Sequence, residues 1–242
     1  MVNISDNTKQ KYGKHPLIVG CLLVGLAAIP DTMVVPVLYD LTVVRFGVSQ
    51  GIAHYFMAIN LLGAIGAIGL LALLKRRYSS SVLFVSAALI SAILMAFMAM
   101  TSSWWLFLMF RCLEGGADLL LLSIPFRLIA GAGKQERYAG RIGGGFTALM
   151  VALAFGVGIG GAIGRESAET VLWAGAIIVA ILAAIASIVH RTVDNLPQSP
   201  FPEPHHCPLV PREWLGAGFM AIDRCLAAIV STSLPILLAS GF

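Results

Sequence analysis

Charged side chains are scarce in this chain, and their scarcity decides the class of protein first. Lys, Arg, Asp and Glu make up 12% of the 242 residues, whereas 58% are hydrophobic and the mean hydropathy is +0.89. Because soluble domains carry roughly 25% charged residues, this composition excludes an ordinary water-soluble domain. The long apolar runs instead predict an all-α integral membrane protein.

Cysteine and recognisable reaction chemistry are also sparse. The four cysteines show no paired spacing, so no disulfide scaffold is expected. His205, His206 and Cys207 are adjacent and lack a fourth ligand for a tetrahedral site, so we interpret them as a polar linker without a metal. The absence of a nucleophile-base pair or a phosphate-binding loop predicts no enzyme activity and no cofactor.

The apolar runs predict seven transmembrane spans. Each is close to the roughly 20 residues that cross a bilayer as a helix. Their predicted limits are 16–39, 51–74, 80–101, 104–129, 140–164, 169–190 and 214–240. The first run is longer than the apolar region of a signal peptide and contains Pro30 and Asp31, so we predict that it stays as a span.

Basic residues alternate between the loops and predict the orientation. Eleven lie before the first span or after an even-numbered span: Lys9, Lys11, Lys14, Lys75, Arg76, Arg77, Lys134, Arg137, Arg141, Arg191 and Arg212. Only Arg45 and Arg165 lie on the other side. The positive-inside rule therefore predicts a cytoplasmic amino terminus, and we expect a multi-pass protein of a bacterial inner membrane. The net charge of +4 is thereby explained without nucleic-acid binding.

A proline-rich stretch divides the chain into regions. We predict a cytoplasmic amino terminus (1–15), a six-span bundle (16–190), a cytoplasmic linker (191–213) and a seventh span (214–242). The segment from Gly25 aligns weakly with the segment from Gly218, which indicates that the seventh span begins a second repeat.

Three motifs in this arrangement resemble the major facilitator superfamily. Arg111-Cys112-Leu113-Glu114-Gly115 is similar to the arginine-x-x-glutamine-glycine signature of its fourth span, with Glu114 in place of glutamine. The segment 152–161, which contains Gly156, Gly160 and Gly161, is similar to the glycine-proline element of antiporter-type members, with Val157 in place of proline. The first span also has the proline-bearing outer half of the family.

This resemblance implies a 3+3 six-helix bundle followed by part of a second one. The family normally has twelve spans, so we expect a missing carboxyl-terminal half or a partner membrane protein to complete the fold. The loop after the second span departs from the family, because Leu73 stands where an aspartate is expected before Lys75. The partners implied are the lipid bilayer, a small-molecule substrate and protons.

The charged residues inside the spans are the candidate site. Arg111, Glu114 and Asp118 fall within about a 60° sector of the fourth span. Counting 1.5 Å per residue from the span ends places both Arg111 and Asp31 about 10 Å from the outer surface. Charges at this depth face a bundle interior or a water-filled cavity.

Two interpretations of these charges stay open. The resemblance implies that the first and fourth spans line a central cavity, where an acid beside an arginine exchanges a proton for substrate. The alternative is a static buried pair of Arg111 and Glu114 that only fixes helix packing. The pair Asp223 and Arg224 is interpreted either as a counterpart in the second repeat or as a simple neighbouring ion pair.

Glycines predict close helix contacts. Gly156, Gly160 and Gly164 recur every fourth residue and give the fifth span a smooth strip. The resemblance implies sliding between two halves at such strips, and static packing is the alternative.

The sequence thus predicts a proton-coupled secondary transporter that moves a small solute by alternating access. The alternative is a truncated, non-transporting membrane protein of the same type that acts in assembly or partner binding.

Overall fold

The described part of the chain is a bundle of helices. The computed structural model describes residues 15–74, 77–132 and 137–194, and these contain no β-strand. The helices are α1 (His15–Met33), α2 (Gln50–Ala53), α3 (Tyr55–Leu74), α4 (Ser80–Met100), α5 (Trp104–Gly131), α6 (Tyr138–Ile163), α7 (Ala168–Ile188) and α8 (His190–Asp194). The predicted all-α class is therefore confirmed. The predicted seventh span, with Asp223 and Arg224, lies outside the described residues.

Five segments of the described chain are long and apolar enough to cross a membrane. They are Pro16–Val37, Gln50–Ile68, Ser80–Met100, Tyr138–Ile163 and Ala168–Ile188. Helix α5 has 28 residues, about 42 Å at 1.5 Å per residue. Its charged residues make it less apolar than these five segments. It packs against α1, α3 and α4 in the middle of the bundle, which keeps those charges away from lipid.

The long helices form two related groups of three. Helix α1 packs against α6 and α7, while α5 packs against α3 and α4; α1 also contacts α5, and α4 contacts α7. Exchanging α1 with α5, α3 with α6 and α4 with α7 leaves this set of principal neighbours unchanged. Internal repeats of this kind are typical of transporter bundles.

The regular part of α1 ends two residues after Asp31. Pro30 lies inside α1, and Pro36 lies in a 3-10 turn formed by Val35–Val37. A π-helical segment, Asp40–Val44, follows and the chain then turns at Gly47, whose φ is +65°. Since proline removes one helical hydrogen bond, the change of pitch after Met33 is explained by Pro36.

Glycines bring α6 against α1. A β-carbon built on Gly160 would lie 2.0 Å from the carbonyl oxygen of Met33, and one on Gly156 would lie 2.1 Å from the Thr32 hydroxyl. At Gly164 the nearest atom would be a methyl carbon of Val37, also at 2.1 Å. The glycine strip of the fifth span therefore packs against the first span of the same bundle. Whether the two helices slide at this strip or pack statically stays a prediction.

Replacing Gly160 by alanine should destabilise the bundle, because the added methyl group meets backbone atoms that cannot rotate away. We expect a loss of about 1–3 kcal/mol, the cost of overpacking a tight contact. Thermal unfolding in detergent, followed by helical circular dichroism, measures it. Gly158→Ala is the matched control, since a β-carbon at that position of α6 meets nothing within 4 Å. Equal melting curves for the two variants would contradict the close contact of α1 and α6.

The carboxylate of Asp194 fixes α8 to the start of α4. It accepts hydrogen bonds from the backbone N–H of Ser81 (2.9 Å) and from the Ser81 hydroxyl (2.6 Å). Partial burial raises the pKa of Asp194, but the hydrogen bonds from Ser81 and Ser79 outweigh it, so the pKa lies below its usual value.

Asp194→Ala should therefore lower stability at neutral pH by about 1 kcal/mol, as for a lost helix cap. A carboxyl whose pKa is lowered on folding stabilises the protein above its unfolded pKa, roughly 3.9. That contribution is lost as the pH falls through the folded pKa. The difference in melting temperature between wild type and variant should therefore vanish in acid. Asp194→Asn, which keeps an acceptor oxygen, should lose less stability than Asp194→Ala and show no such pH dependence. Parallel profiles of melting temperature against pH for all three proteins would refute this role of Asp194.

Candidate functional site: a buried arginine between two carboxylates

The charges predicted for the first and fourth spans meet inside the bundle. Nη2 of Arg111 donates to Oδ1 of Asp31 at 2.5 Å, and Nη1 donates to Oε2 of Glu114 at 2.6 Å. One guanidinium of α5 is thus shared between a carboxylate of α1 and a carboxylate one turn along its own helix. Asp31 and Arg111, which the residue count predicted to lie at the same depth, are in direct contact.

The three side chains differ sharply in their access to the outside of the protein. The side chains of Arg111 and Glu114 are 1% and 3% exposed, whereas that of Asp31 is 43% exposed. The cluster therefore has a closed end at Glu114 and an open end at Asp31. Asp31 is thus the most exposed member of the cluster.

An aromatic ring covers the guanidinium from α3. The Cζ atom of Arg111 lies 4.7 Å from the centroid of the Phe56 ring, and Phe56 stacks in turn on Phe107 at 5.2 Å. A cation over an aromatic face gains electrostatic energy, more so when it is desolvated. Phe56 is fully buried. It therefore holds the cation in place without competing for its hydrogen-bond donors.

Two polar atoms at the closed end remain without a hydrogen bond among the described residues. They are Nε of Arg111 and Oγ of Ser91. Ser91, on α4, is fully buried and contributes to the electrostatic environment of Glu114, although its hydroxyl makes no hydrogen bond of good geometry. Nε of Arg111 and the Ser91 hydroxyl thus retain capacity for further hydrogen bonds.

Asp118 lies outside the bridged group. It accepts a hydrogen bond from Nδ2 of Asn60 at 3.0 Å, and Asn60 belongs to α3. The predicted polar stripe of α5 therefore divides between two neighbours: Arg111 reaches α1, and Asp118 reaches α3. Asp118 stays within electrostatic reach of Arg111 and Glu114, so the four ionisable groups form one electrostatic unit.

The contact between α3 and α5 depends on the glycines beside the acid. A β-carbon on Gly115 would lie 2.0 Å from the carbonyl oxygen of Asn60, and one on Gly63 would lie 1.7 Å from that of Cys112. Because residues four apart share a helix face, Phe56 and Asn60 approach α5 together. Gly115 thus brings the aromatic cover and the Asp118 partner into place.

Sequence reasoning missed Phe56 and Ser91 as parts of the site. Neither residue type is unusual in an apolar span, so neither carries a signal of its own. Asn60 did carry one, since an amide in a membrane span usually bonds to another helix. That tendency indicates the kind of contact but not the partner, which is Asp118.

The two ion pairs of Arg111 have different structural roles. The pair with Asp31 joins α5 to α1, whereas the pair with Glu114 lies within α5 and supplies a second counter-charge to the buried guanidinium. Among the described residues no group of three or more metal-ligating acids, histidines or cysteines is present.

Membrane-length helices in two related groups of three, with charges gathered in their interior, define a polytopic α-helical membrane protein of the transporter type. A family model described as Major Facilitator Superfamily matches residues 20–242, and the chain belongs to this family. No match was found among curated proteins or among solved structures. The protein is thus a major facilitator type transporter that works in a lipid bilayer on a small solute.

Proposed function

We propose that this transporter couples the movement of a proton to that of a small solute by alternating access, with Asp31 as the group that takes up and releases the proton. One observation carries the proposal: the open carboxylate of Asp31 is bound to a cation that is 1% exposed. Protonation at the accessible end therefore changes an interaction at the buried end.

The geometry around Arg111 supports a sequence of events. With Asp31 ionised, α1 is bound to α5 through the guanidinium. With Asp31 protonated, the attraction between the two helices weakens, and α1 is free to shift relative to α5. A solute that prefers one of the two arrangements then shifts the equilibrium between them by its difference in affinity.

The closed end supports the same role. Glu114 is bonded to Arg111 through the i, i+3 spacing of α5 and does not depend on α1. Phe56 and Glu114 keep the guanidinium oriented when Asp31 is neutral. The cluster is thus able to return to its starting state without reorganising its buried part.

The distribution of basic residues supports a cytoplasmic amino terminus, as in the positive-inside rule. In that orientation Arg45 and Glu169 lie at the outer end of the bundle, and Arg77 and Asp194 at the cytoplasmic end. We further propose a bacterial inner membrane as the location.

The experiment is reconstitution in vesicles that contain a pH-sensitive dye. The protein, with any membrane protein that co-purifies with it, is exposed to solutes of different chemical classes. We expect at least one solute to cause proton movement that empty vesicles do not show. Solute flux without proton movement would reject the coupling. A stable complex with another membrane protein and no flux of any kind would instead favour a role in assembly.

A further inference from the structure

An apolar groove opens on the side of the bundle between α3, α4 and α5. Its volume is about 520 Å³, and its walls include Leu62, Leu70 and Leu74 of α3, Leu83 and Ile90 of α4, and Leu113 of α5. Asp31, Arg111 and Glu114 do not line it. This lateral groove is therefore separate from the charged cluster.

The walls of the lateral groove offer little to a polar ligand. Ser86 is one of its few polar residues, and its hydroxyl already donates to the carbonyl oxygen of Leu83 at 3.1 Å. Leu62, Ile90 and Leu113 are more than half exposed in the bundle, so the groove opens to the surroundings. In a membrane, those surroundings are hydrocarbon chains.

The length of the groove matches one leaflet of a bilayer. Leu62 and Leu74 are twelve residues apart on α3, which corresponds to about 18 Å of helix. Half of a hydrocarbon core of roughly 30 Å is about 15 Å. A single lipid chain that enters from the membrane surface thus fills the groove along its length.

The end of the groove carries positive charge. Arg77 is exposed, and its backbone N–H donates to the carbonyl oxygen of Leu74, a residue that lines the groove. In the sequence, Lys75 and Arg76 stand between them. Basic residues at a membrane surface attract anionic lipid headgroups.

We propose that the lateral groove binds an anionic phospholipid, with one acyl chain between α3, α4 and α5 and the headgroup phosphate at Arg77. The apolar walls select a hydrocarbon chain, the length selects a chain of one leaflet, and the terminal charge selects an anionic headgroup. This inference does not depend on the proposed proton coupling.

Native mass spectrometry of the protein in mixed phosphatidylglycerol and phosphatidylcholine tests the site. Ile90→Trp fills the groove, whereas Ile93→Trp places the same ring on the same helix outside it; the two isoleucines are 51% and 52% exposed. We expect one tightly retained phosphatidylglycerol in wild type and Ile93→Trp, and roughly tenfold weaker retention in Ile90→Trp. Arg77→Gln should reduce the preference for phosphatidylglycerol by roughly fivefold. Equal retention by both tryptophan variants, or no preference for the anionic lipid, would overturn the proposal.

Alkylation of the unmodified chain gives a second test that needs no substitution. Cys112 lines the groove and Cys21 does not. Added phosphatidylglycerol should slow the reaction of N-ethylmaleimide with Cys112 but not with Cys21, as read by peptide mass spectrometry. Equal protection of both thiols would overturn the proposal, and so would a Cys112–Cys112 disulfide between two chains, which would place a second copy in the groove.

Discussion

Asp31→Asn should reduce proton-linked solute flux to the level of empty vesicles while the protein remains folded. Asparagine has nearly the same shape as aspartate but carries no charge, so α1 loses its ionic bond to Arg111 permanently. Glu114 still pairs with the guanidinium, so no buried charge is left alone and the bundle survives. Flux in reconstituted vesicles and a thermal unfolding curve measure the two effects separately.

Asp40→Asn is the control for this experiment. Asp40 is an exposed acid further along the same segment, in the π-helical stretch beyond α1, so its substitution removes an equal charge away from the cluster. It should leave flux unchanged. If Asp31→Asn also transports normally, the ion pair with Arg111 is a static packing contact and the coupling role of Asp31 is lost.

Arg111→Ala should have the largest effect on stability of any single substitution considered for this bundle. It leaves the carboxylate of Glu114 buried without a partner and removes the cation beneath Phe56. Breaking a buried pair in this way costs about 3–5 kcal/mol. Thermal unfolding in detergent and the yield of folded protein measure the loss.

Two further variants separate the charge of Arg111 from its shape. Arg111→Lys keeps a charge but presents a single point rather than a planar fork, so it cannot bridge both carboxylates equally well and should rescue only part of the stability. Combining Arg111→Met with Glu114→Gln removes both buried charges and should recover much of the loss seen with alanine. If the double variant is no more stable than Arg111→Ala, an uncompensated Glu114 is not the cause.

The shared depth of Asp31 and Arg111 was predictable by counting residues along each span, whereas their contact also requires α1 and α5 to be neighbours, which only the family resemblance implied. Each residue of a helix advances by a fixed 1.5 Å, and the membrane fixes where each span begins. The depth of Asp31 can therefore be counted from one membrane surface and that of Arg111 from the other, without knowledge of how the helices pack. The all-α class was predictable for the same kind of reason, since apolar runs of bilayer length have few alternatives.

The partners of the remaining polar groups depend on the rotation of each helix about its axis, which no single span encodes. Asp118 and Glu114 lie on one face of α5, yet one bonds to Asn60 and the other to Arg111. The hydrophobic pattern of α3 is nearly uniform around its circumference, so the sequence gives no direction to Phe56 or Asn60. Their orientation is set by the close approach at Gly63 and Gly115, a property of two helices together.

The glycine strip of α6 illustrates the same limit. Its spacing predicts that some helix comes close, and α1 does so at Met33. The spacing does not indicate which helix packs there. The contact at Met33 also joins the strip to the segment that carries Asp31, two residues earlier.

The change of helical pitch beyond Met33 has a torsional consequence. The 3-10 and π-helical segment from Val35 to Val44 is followed by Arg45, which is bound to α4. Nη2 of Arg45 donates to the carbonyl oxygens of Ala99 and Thr101 at the end of α4, both at 2.7 Å. An α-helix turns 100° per residue, while 3-10 and π turns accommodate one residue fewer or more per hydrogen-bonded ring. If α1 rotates at Asp31, the segment between Val35 and Val44 can take up that rotation without breaking the bonds of Arg45 to α4.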